Sequence, residues 1–299
     1  MTRPAPAAAP KKSTDVRLSA FRALFRALSA IAPAAAAKLA MVLFRRPPRH
    51  QASESERAAL ETGERTLSLD GRTLAIWRWG KGPAVLLVHG WGSRASRLAS
   101  FVTPLTDSGF SVVAFDAPGH GASAGRLSSL PQFISAIQAV AREIGGVEAI
   151  VAHSMGGAAT TLAMGRGLRT GRAVFLAPAA DPAGYSERFA ATLGLSTDVL
   201  ARMRRSIEHR FGQKWWDFDV LSAARTMTAP LLVFHDRDDA DVAWTDGAAI
   251  ASAWPGAELV STTGLGHRRI VHDPEVVSRA VAFVTAEIDE KRRKRIGTL

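Results

Sequence analysis

Residues 147–165 read VEAIVAHSMGGAATTLAMG, and this stretch decides the fold. Its opening residues are mostly apolar, as in a buried strand, whereas the residues after the serine are small and follow a helical pattern. Ser154 stands where the two patterns meet. A tight turn from a strand into a helix lifts a serine hydroxyl clear of its neighbours, toward a base that accepts its proton. The small residues Ala152, Gly156 and Gly157 leave room for such a turn, so the stretch predicts a nucleophile elbow.

A second interpretation of Ser154 stays open at this point. The usual elbow is spelled G-x-S-x-G, and Ala152 stands here in place of the first glycine. A serine at the start of a helix is also a common N-cap, which needs no base. The pentapeptide alone does not separate the two roles, and the histidines and carboxylates further along the chain must do so.

The composition is that of a large soluble domain with small additions. The chain has 299 residues, of which 47% are hydrophobic. It contains no cysteine, which excludes disulfides and thiolate chemistry and permits a reducing compartment. We therefore expect a cytoplasmic protein. Attachment to the inner face of a membrane is an open alternative within that compartment.

The net charge of +11 comes from the two ends of the chain. Residues 1–50 carry ten Lys and Arg against one Asp, and residues 287–299 carry five against three. The rest of the chain is therefore neutral. Because no aromatic and basic platform accompanies the charge, we expect no nucleic acid partner.

The N-terminal region has two parts. Residues 1–15 are rich in Ala, Pro and Lys and are expected to form a disordered tail. Residues 16–50 are predicted to form a basic amphipathic helical segment that Pro33 interrupts. The longest uncharged run, residues 27–37, is too short and too rich in alanine to span a bilayer. Two interpretations stay open, namely a helical pair packed on the main domain and peripheral contact with an anionic membrane.

The main domain is predicted in residues 65–180 and 229–289, after a polar linker at residues 51–64. Strand patterns alternate with helix patterns through both ranges, beginning with a hairpin. This order predicts an α/β fold with a mostly parallel central sheet and helices on both faces. A basic tail, residues 290–299, follows the last helix.

The loop after the buried strand pattern at residues 84–88 reads HGWG. Its glycines let backbone N–H groups approach a ligand, so the N–H of Trp91 is one candidate donor to an oxyanion. The N–H of Met155 is the second candidate, because it lies at the N-terminus of the helix that follows Ser154.

Residues 181–228 interrupt the alternation and are too long for a simple connection between strands. We interpret them as a small helical cap that shapes a substrate pocket. Anchoring of the cap to the main domain is an equally good interpretation of the tryptophans. The candidate lining residues are Tyr185, Phe189, Met203, Trp215 and Trp216.

A serine nucleophile needs a base and an orienting carboxylate. Residues 235–242 (HDRDDADV) follow one strand pattern and offer several aspartates, among them Asp238, Asp239 and Asp241. His267 follows the last strand pattern in a loop with two glycines. The carboxyl ends of parallel strands meet at one edge of a sheet, so these loops are expected near Ser154.

The motifs HGWG, DAPGHG, AHSMGG, HDRDDADV and GLGH, in this order and spacing, resemble those of the α/β-hydrolase fold superfamily over residues 65–289. By that resemblance Ser154 is the nucleophile, His267 the general base and Asp239 the acid, because the family's G-x-x-D-x-x-V loop overlays residues 236–242. Asp236 replaces the glycine of that loop, which leaves Asp238 and Asp241 as alternatives.

The sequence thus predicts a serine hydrolase that cleaves a carboxylic ester or related acyl bond of a small molecule through an acyl-enzyme. No cofactor and no metal is expected, since neither a metal-ligand spacing nor a phosphate loop is visible. The alternative is a ligand-binding protein that keeps the fold without turnover. The sequence does not specify the substrate or the oligomeric state.

Overall fold

The computed structural model describes residues 13–49, 51–60, 64–69 and 71–296. The chain divides into two compact units. We call residues 45–182 and 216–299 the sheet unit, and residues 1–44 and 183–215 the helical unit.

The sheet unit contains one eight-stranded sheet. Its strands are β1 (Glu64–Leu69), β2 (Arg72–Trp79), β3 (Ala84–Val88), β4 (Ser111–Phe115), β5 (Ala149–His153), β6 (Arg172–Leu176), β7 (Leu231–Asp236) and β8 (Glu258–Thr262). They lie in the order β1-β2-β4-β3-β5-β6-β7-β8. The pairs β1–β2 and β2–β4 are antiparallel, and all others are parallel. The predicted α/β class with a mostly parallel sheet is confirmed.

The helices surround this sheet and also form the helical unit. They are α1 (Ser13–Ile31), α2 (Pro33–Phe44), α3 (Glu54–Ala58), α4 (Val102–Asp107), α5 (Leu130–Glu143), α6 (Met155–Gly165), α7 (Pro182–Leu193), α8 (Thr197–Phe211), α9 (Val220–Ala224), α10 (Trp244–Ala253), α11 (Gly266–Arg269) and α12 (Pro274–Ile296). Two short 3₁₀ helices span Ala95–Phe101 and Trp215–Phe218. Within the described residues, every helix is too short or too polar to cross a bilayer.

Both faces of the sheet are covered, as β3 illustrates. Leu86 and Val88 belong to one apolar cluster, together with residues of α5 and α6. Val85 and Leu87 point the other way, into a cluster that includes residues of α12. Each fully buried side chain of this kind contributes about 1.5–3 kcal/mol. A continuous apolar strand therefore fits a sheet with helices on both sides.

The helical unit has its own core, built from two distant segments. Phe25 of α1 and Ala36 and Ala40 of α2 are fully buried with Val199 and Met203 of α8. Ala36 and Ala40 are four residues apart, so they lie on one face of α2. The N-terminal helices therefore share a core with the segment that the sequence suggested as a cap.

Several predicted boundaries differ from the structure. Residues 13–15 already belong to α1, whereas residues 1–12 of the expected tail lie outside the described residues. The expected linker contains α3, which is capped by a hydrogen bond from the Glu56 N–H to Ser53 Oγ (3.1 Å). The expected C-terminal tail is helical to Ile296.

The segment predicted as a cap, residues 181–228, is divided between the units. Residues 183–215 belong to the helical unit, whereas residues 216–228 belong to the sheet unit. There Val220 and Ala224 of α9 are fully buried in the cluster that covers β3. The sequence did not predict this division between the units, because helices packed in either core have the same pattern of apolar residues.

Candidate active site

Ser154 lies in the turn between β5 and α6. Its backbone adopts φ +57° and ψ −126°, a strained conformation for a residue with a side chain. The Ser154 N–H donates to the Leu176 carbonyl (2.9 Å), which anchors the turn to β6. A Cβ atom on Gly156 would lie 2.7 Å from the carbonyl oxygens of Val88 and His89, so only glycine fits there.

The side chain of Ser154 makes no hydrogen bond that caps α6. Its Oγ instead lies 3.0 Å from Nε2 of His267. The interpretation of Ser154 as an ordinary N-cap is therefore wrong. Ala152 occupies the position of the missing glycine and is fully buried in the sheet core, so the single methyl group fits there.

His267 links Ser154 to Asp239. Its Nδ1 lies 2.7 Å from Asp239 Oδ2, and its Nε2 faces the serine hydroxyl. These partners assign the ring proton to Nδ1, which donates to the carboxylate and leaves Nε2 free to accept from Ser154. The side chain of Asp239 is fully buried, and that of His267 is 11% exposed. The three side chains form one hydrogen-bonded chain.

Asp239 is held as a carboxylate in this position. Its Oδ1 accepts the N–H groups of Asp241 (2.9 Å) and Val242 (2.8 Å). Burial of the side chain opposes ionisation, but hydrogen bonds from His235, His267 and the backbone outweigh burial and lower the pKa of Asp239. The buried ring of His235 contributes through Nε2, which lies 3.5 Å from Oδ2.

The neighbouring aspartates have other contacts. Asp238 Oδ2 accepts the N–H of Gly264 at 2.9 Å, in the loop before His267. Asp241 lies 3.5 Å from the exposed guanidinium of Arg268. Of the three candidate aspartates, Asp239 alone contacts the imidazole of His267 within the described residues.

Sequence reasoning missed the role of Asp236, which contacts the loop that carries His267. Its Oδ2 accepts the hydroxyl of Thr262 (2.7 Å) and the N–H of Leu265 (3.0 Å), and thus holds the loop that carries His267. Burial opposes ionisation, but these hydrogen bonds and others from the backbone outweigh burial and lower the pKa of Asp236. The signal was in the sequence, because Asp236 stands where the family motif has glycine.

His153 is a second residue whose contact was missed. Its Nε2–H donates to the backbone carbonyl of His267 at 2.9 Å, and the two rings lie 4.6 Å apart. Burial, together with the nearby His267, lowers the pKa of His153 to about 3, so its ring is neutral at pH 7. A polar residue at the end of a buried strand was the available signal.

The glycine loop after β3 lies against Ser154. A Cβ atom on Gly90 would lie 2.7 Å from the Cβ of Ser154, so glycine is required for this close approach. The ring of His89 fixes the loop, since Nδ1–H donates to the Gly90 carbonyl (2.7 Å) and Nε2 accepts the N–H of Ala117 (3.0 Å). Burial lowers the pKa of His89 to about 4.

A second buried histidine supports the same loop. His120 Nε2 accepts the N–H of Gly92 at 3.0 Å, and its ring packs edge-on against Trp91 at 5.3 Å. Burial lowers the pKa of His120 to about 3. Trp91 therefore lies in a fixed loop beside Ser154. Met155 is the first residue of α6, where N–H groups lack intrahelical acceptors.

The candidate pocket residues do not form one group. Met203 is fully buried in the core of the helical unit, and Phe189 and Trp215 pack against that core. The prediction that Met203 lines a pocket is therefore wrong, because its side chain has no accessible surface. Trp216 belongs to the sheet unit and is 72% exposed. Tyr185 is half-buried, with the Arg188 guanidinium 4.2 Å above its ring.

Among the described residues, no group of three or more His, Asp or Glu side chains is arranged so that it could hold a metal ion. The buried carboxylate of Asp116 is also satisfied by the protein. It accepts the N–H groups of Ala95 and Ala122, each at 2.7 Å. Burial raises the pKa of Asp116.

Comparisons with known proteins agree with this architecture. Over 231 residues the chain is 32% identical to the dihydrolipoyllysine-residue acetyltransferase component of the acetoin cleaving system of Cupriavidus necator, covering 72% of this chain and 58% of that protein. Over 44 residues it is 50% identical to the pimeloyl-[acyl-carrier protein] methyl ester esterase of Methylococcus capsulatus, covering 15% of this chain and 17% of that one. The chain thus spans less than two thirds of either curated relative.

A solved structure of a bacterial membrane phospholipase A shares the fold. The TM-score is 0.60 and the identity 18%, with 92% of this chain and 99% of that chain covered. The model of the alpha/beta hydrolase family matches residues 85–280, from β3 into α12. This match includes every strand of the parallel part of the sheet and the loops that carry Ser154, Asp239 and His267. The chain therefore belongs to the alpha/beta hydrolase family.

Proposed function

We propose that this chain is a serine hydrolase that cleaves a carboxylic ester or related acyl bond of a small molecule through an acyl-enzyme. The observation that carries the proposal is the hydrogen-bonded chain from Ser154 through His267 to Asp239. Each side chain has the donor or acceptor role that nucleophilic catalysis needs. The serine hydroxyl faces an unprotonated imidazole nitrogen, and the imidazole N–H faces a buried carboxylate.

The first half of the reaction forms the acyl-enzyme. Ser154 Oγ attacks the acyl carbon while its proton passes to Nε2 of His267. Asp239 stabilises the imidazolium that results. The N–H groups of Met155 and Trp91 hold the negative oxygen of the tetrahedral intermediate. When that intermediate collapses, the bond to the leaving alcohol breaks and the alcohol takes the proton from His267.

The second half releases the acid. Water attacks the acyl carbon of the ester on Ser154, and His267 accepts a proton from that water. The bond to Ser154 Oγ then breaks, and the proton returns to the serine from His267. No step draws on a redox group or an external co-reactant other than water.

One comparison supports the choice of an ester bond: the curated relative that matches over 44 residues is by name a methyl ester esterase. The small-molecule character of the substrate and a pocket role for Tyr185 and Phe189 stay predictions. The cytoplasmic location and the lack of a cofactor also stay predictions from the sequence.

Hydrolysis of p-nitrophenyl esters of increasing acyl length tests the proposal. The native chain should hydrolyse at least one of them, and Ser154→Ala should lower kcat/KM by at least about 10⁴-fold. Ser206→Ala, which changes an exposed serine of α8, is the matched control and should keep the native rate. Equal rates for Ser154→Ala and the native chain would refute the proposal. Ligand-induced stabilisation without turnover of any acyl compound would favour the non-catalytic alternative.

A further inference from the structure

A short segment that follows α2 in the chain lies against the loops of the candidate site. We call residues 45–49 (RRPPR) the proline segment, and it belongs to the sheet unit. The family model matches residues 85–280, so the proline segment lies outside the matched part of the chain. Its two consecutive prolines have a fixed φ, which limits the freedom of its backbone. Family membership implies nothing about this segment, and its contacts alone indicate what it does.

The proline segment is fixed at its first residue. Arg45 is buried, and its Nη2–H donates to Gln132 Oε1 at 3.2 Å. The Arg45 carbonyl accepts the N–H of Ser128 at 2.7 Å. Gln132 lies in the first turn of α5, whose N-cap is Ser129. The segment therefore starts from a defined position at the N-terminus of α5.

Arg49 connects the other end of the segment to the loop between β4 and α5. Its guanidinium donates from Nε and Nη2 to the Gly119 carbonyl, at 3.3 and 3.2 Å, and from Nη2 to the Gly125 carbonyl at 2.7 Å. Hydrogen bonds from a charged donor are stronger than neutral ones, and the planar guanidinium holds several acceptors in a fixed geometry. Gly119 and Gly125 lie on either side of His120 in the sequence. One side chain thus holds both ends of the loop that carries His120.

His120 links this contact to the glycine loop after β3. Its Nδ1–H donates to the Pro118 carbonyl at 3.1 Å, and its Nε2 accepts the N–H of Gly92 at 3.0 Å. Only a neutral ring has a nitrogen that accepts a hydrogen bond. Burial is the main cause that lowers the pKa of His120 to about 3, and the charge of Arg49 acts in the same direction. Arg49 therefore holds the loop around His120 and also favours the neutral ring that binds Gly92.

Pro48 contacts the same glycine directly. A Cβ atom on Gly92 would lie 2.6 Å from Pro48 Cγ, so the proline ring packs closely against Gly92. Two residues earlier in the loop, a Cβ atom on Gly90 would lie 2.7 Å from the Cβ of Ser154. The short loop that carries Trp91 is therefore in contact with Ser154 at Gly90 and with Pro48 at Gly92. A displacement of Pro48 would leave room for the Trp91 N–H to shift relative to the serine.

We propose that the proline segment positions the oxyanion site, and that Arg49 and Pro48 hold the Trp91 N–H where it meets the developing negative charge. This inference rests on the proposed function, because that charge arises only when Ser154 attacks an acyl carbon. Arg49 and Pro48 act through His120 and Gly92, so they are positioning residues and not catalytic ones. An oxyanion donor binds the transition state more strongly than the substrate. Loss of these contacts should therefore lower kcat and leave KM unchanged.

The kinetics of Arg49→Ala, on the p-nitrophenyl ester that the native chain hydrolyses fastest, test this proposal. We expect kcat to fall about 10-fold with KM unchanged, because one oxyanion donor is displaced without being removed. The Ki of a trifluoromethyl ketone, which forms a tetrahedral adduct with the serine, should rise by the same factor. Arg49→Lys should recover part of the loss, since an ammonium group lacks the planar fork that holds both carbonyls. Arg46→Ala removes an exposed cation of the same segment and is the matched control, with native kcat expected.

Amide hydrogen exchange tests the same contacts without a substrate. Peptides that cover residues 89–95 and 117–125 should exchange at least about threefold faster in Arg49→Ala, whereas the peptide of α6 should exchange at the native rate. Thermal unfolding of Arg49→Ala should match the native chain, because Arg49 is exposed.

The outcomes separate this inference from the proposed function. Native kcat in Arg49→Ala, while the native chain hydrolyses esters, would overturn the positioning role alone. A higher KM with native kcat would overturn it in favour of direct contact between Arg49 and the substrate. Absence of ester hydrolysis by the native chain would refute the proposed function and, with it, the oxyanion role.

Discussion

The candidate site and the helical unit differ in how their residues come together. The site is assembled from polar side chains in short loops, each directly after a strand, and the sheet brings Ser154, Asp239 and His267 to one edge. The helical unit is held by apolar side chains of α1, α2 and α8, from segments that lie far apart along the chain. Individual hydrogen bonds determine the geometry of the candidate site. The helical unit is stabilised instead by the volume and burial of its side chains. The two regions should therefore respond to different substitutions.

The largest effect is expected for Asp239→Asn. Oδ1 accepts two backbone N–H groups, so the amide oxygen of Asn keeps that side and its NH₂ faces His267. The imidazole must then carry its proton on Nε2, toward Ser154, and no longer serves as a base. We expect kcat/KM to fall by about 10³–10⁴-fold with unchanged thermal stability. Asp238→Asn and Asp241→Asn are controls, and a larger loss in either would move the acid to another residue of the loop.

A substitution in the helical unit should act on stability instead. Phe25→Ala removes a fully buried ring and is expected to lower the free energy of unfolding of the helical unit by about 3–5 kcal/mol. Phe21→Ala on the same helix is the matched control, because its ring is 45% exposed, and should cost less than about 1 kcal/mol. Urea unfolding followed by tryptophan fluorescence measures both. Equal costs would mean that α1 does not pack through Phe25.

The candidate site could be predicted from the sequence more fully than the helical unit, because its residues follow local patterns. The strands β3 to β7 are short apolar runs, and each motif of the site lies within a few residues of a strand end. The local pattern therefore specified both the sheet and the positions of Ser154 and His267. The choice of Asp239 needed the family resemblance, because three aspartates of one loop have the same chemistry.

The remaining features depend on contacts that local patterns do not encode. The shared core of α2 and α8 joins residues such as Ala40 and Met203, and a buried methionine has the same sequence pattern as one that lines a pocket. The contact of Asp236 with the loop at Leu265 is likewise set by the pairing of β7 with β8.

Acid should weaken the sheet unit through its buried histidines. The pKa values of His89, His120 and His153 are about 4, 3 and 3 in the folded chain, below the ordinary value of 6.5. The unfolded chain binds protons that the folded chain excludes, so the free energy of unfolding should fall as the pH drops from 6.5 toward 4. The slope is about 1.4 kcal/mol per pH unit for each histidine.

Denaturant unfolding at several pH values measures this slope. His120→Asn should reduce the slope by about 1.4 kcal/mol per pH unit, because the variant lacks one of the groups that bind a proton only in the unfolded chain. His209→Asn changes an exposed histidine of the helical unit and is the matched control, for which the native slope is expected. A native slope in His120→Asn would contradict the assignment of the buried ring as neutral.

The smallest effect is expected for Asp236→Asn. The amide presents an N–H donor to groups that themselves donate, namely the Thr262 hydroxyl and the N–H of Leu265, so the loop before His267 loosens. We expect kcat to fall about 10-fold with KM unchanged, because the residue positions the base without touching substrate. Asp219→Asn changes the capping carboxylate of α9 and should leave kcat native. A change in KM alone would contradict the positioning role.

Labelling with a fluorophosphonate tests the central claim most directly, because such a probe reacts only with a serine that a base activates. The account predicts one label per native chain, on the peptide that contains Ser154, and none on Ser154→Ala. The label should also be lost on unfolding, since His267 then no longer lies beside the hydroxyl. Labelling of Ser154→Ala at the native rate, or a folded native chain that takes no label while hydrolysing esters, would contradict the account.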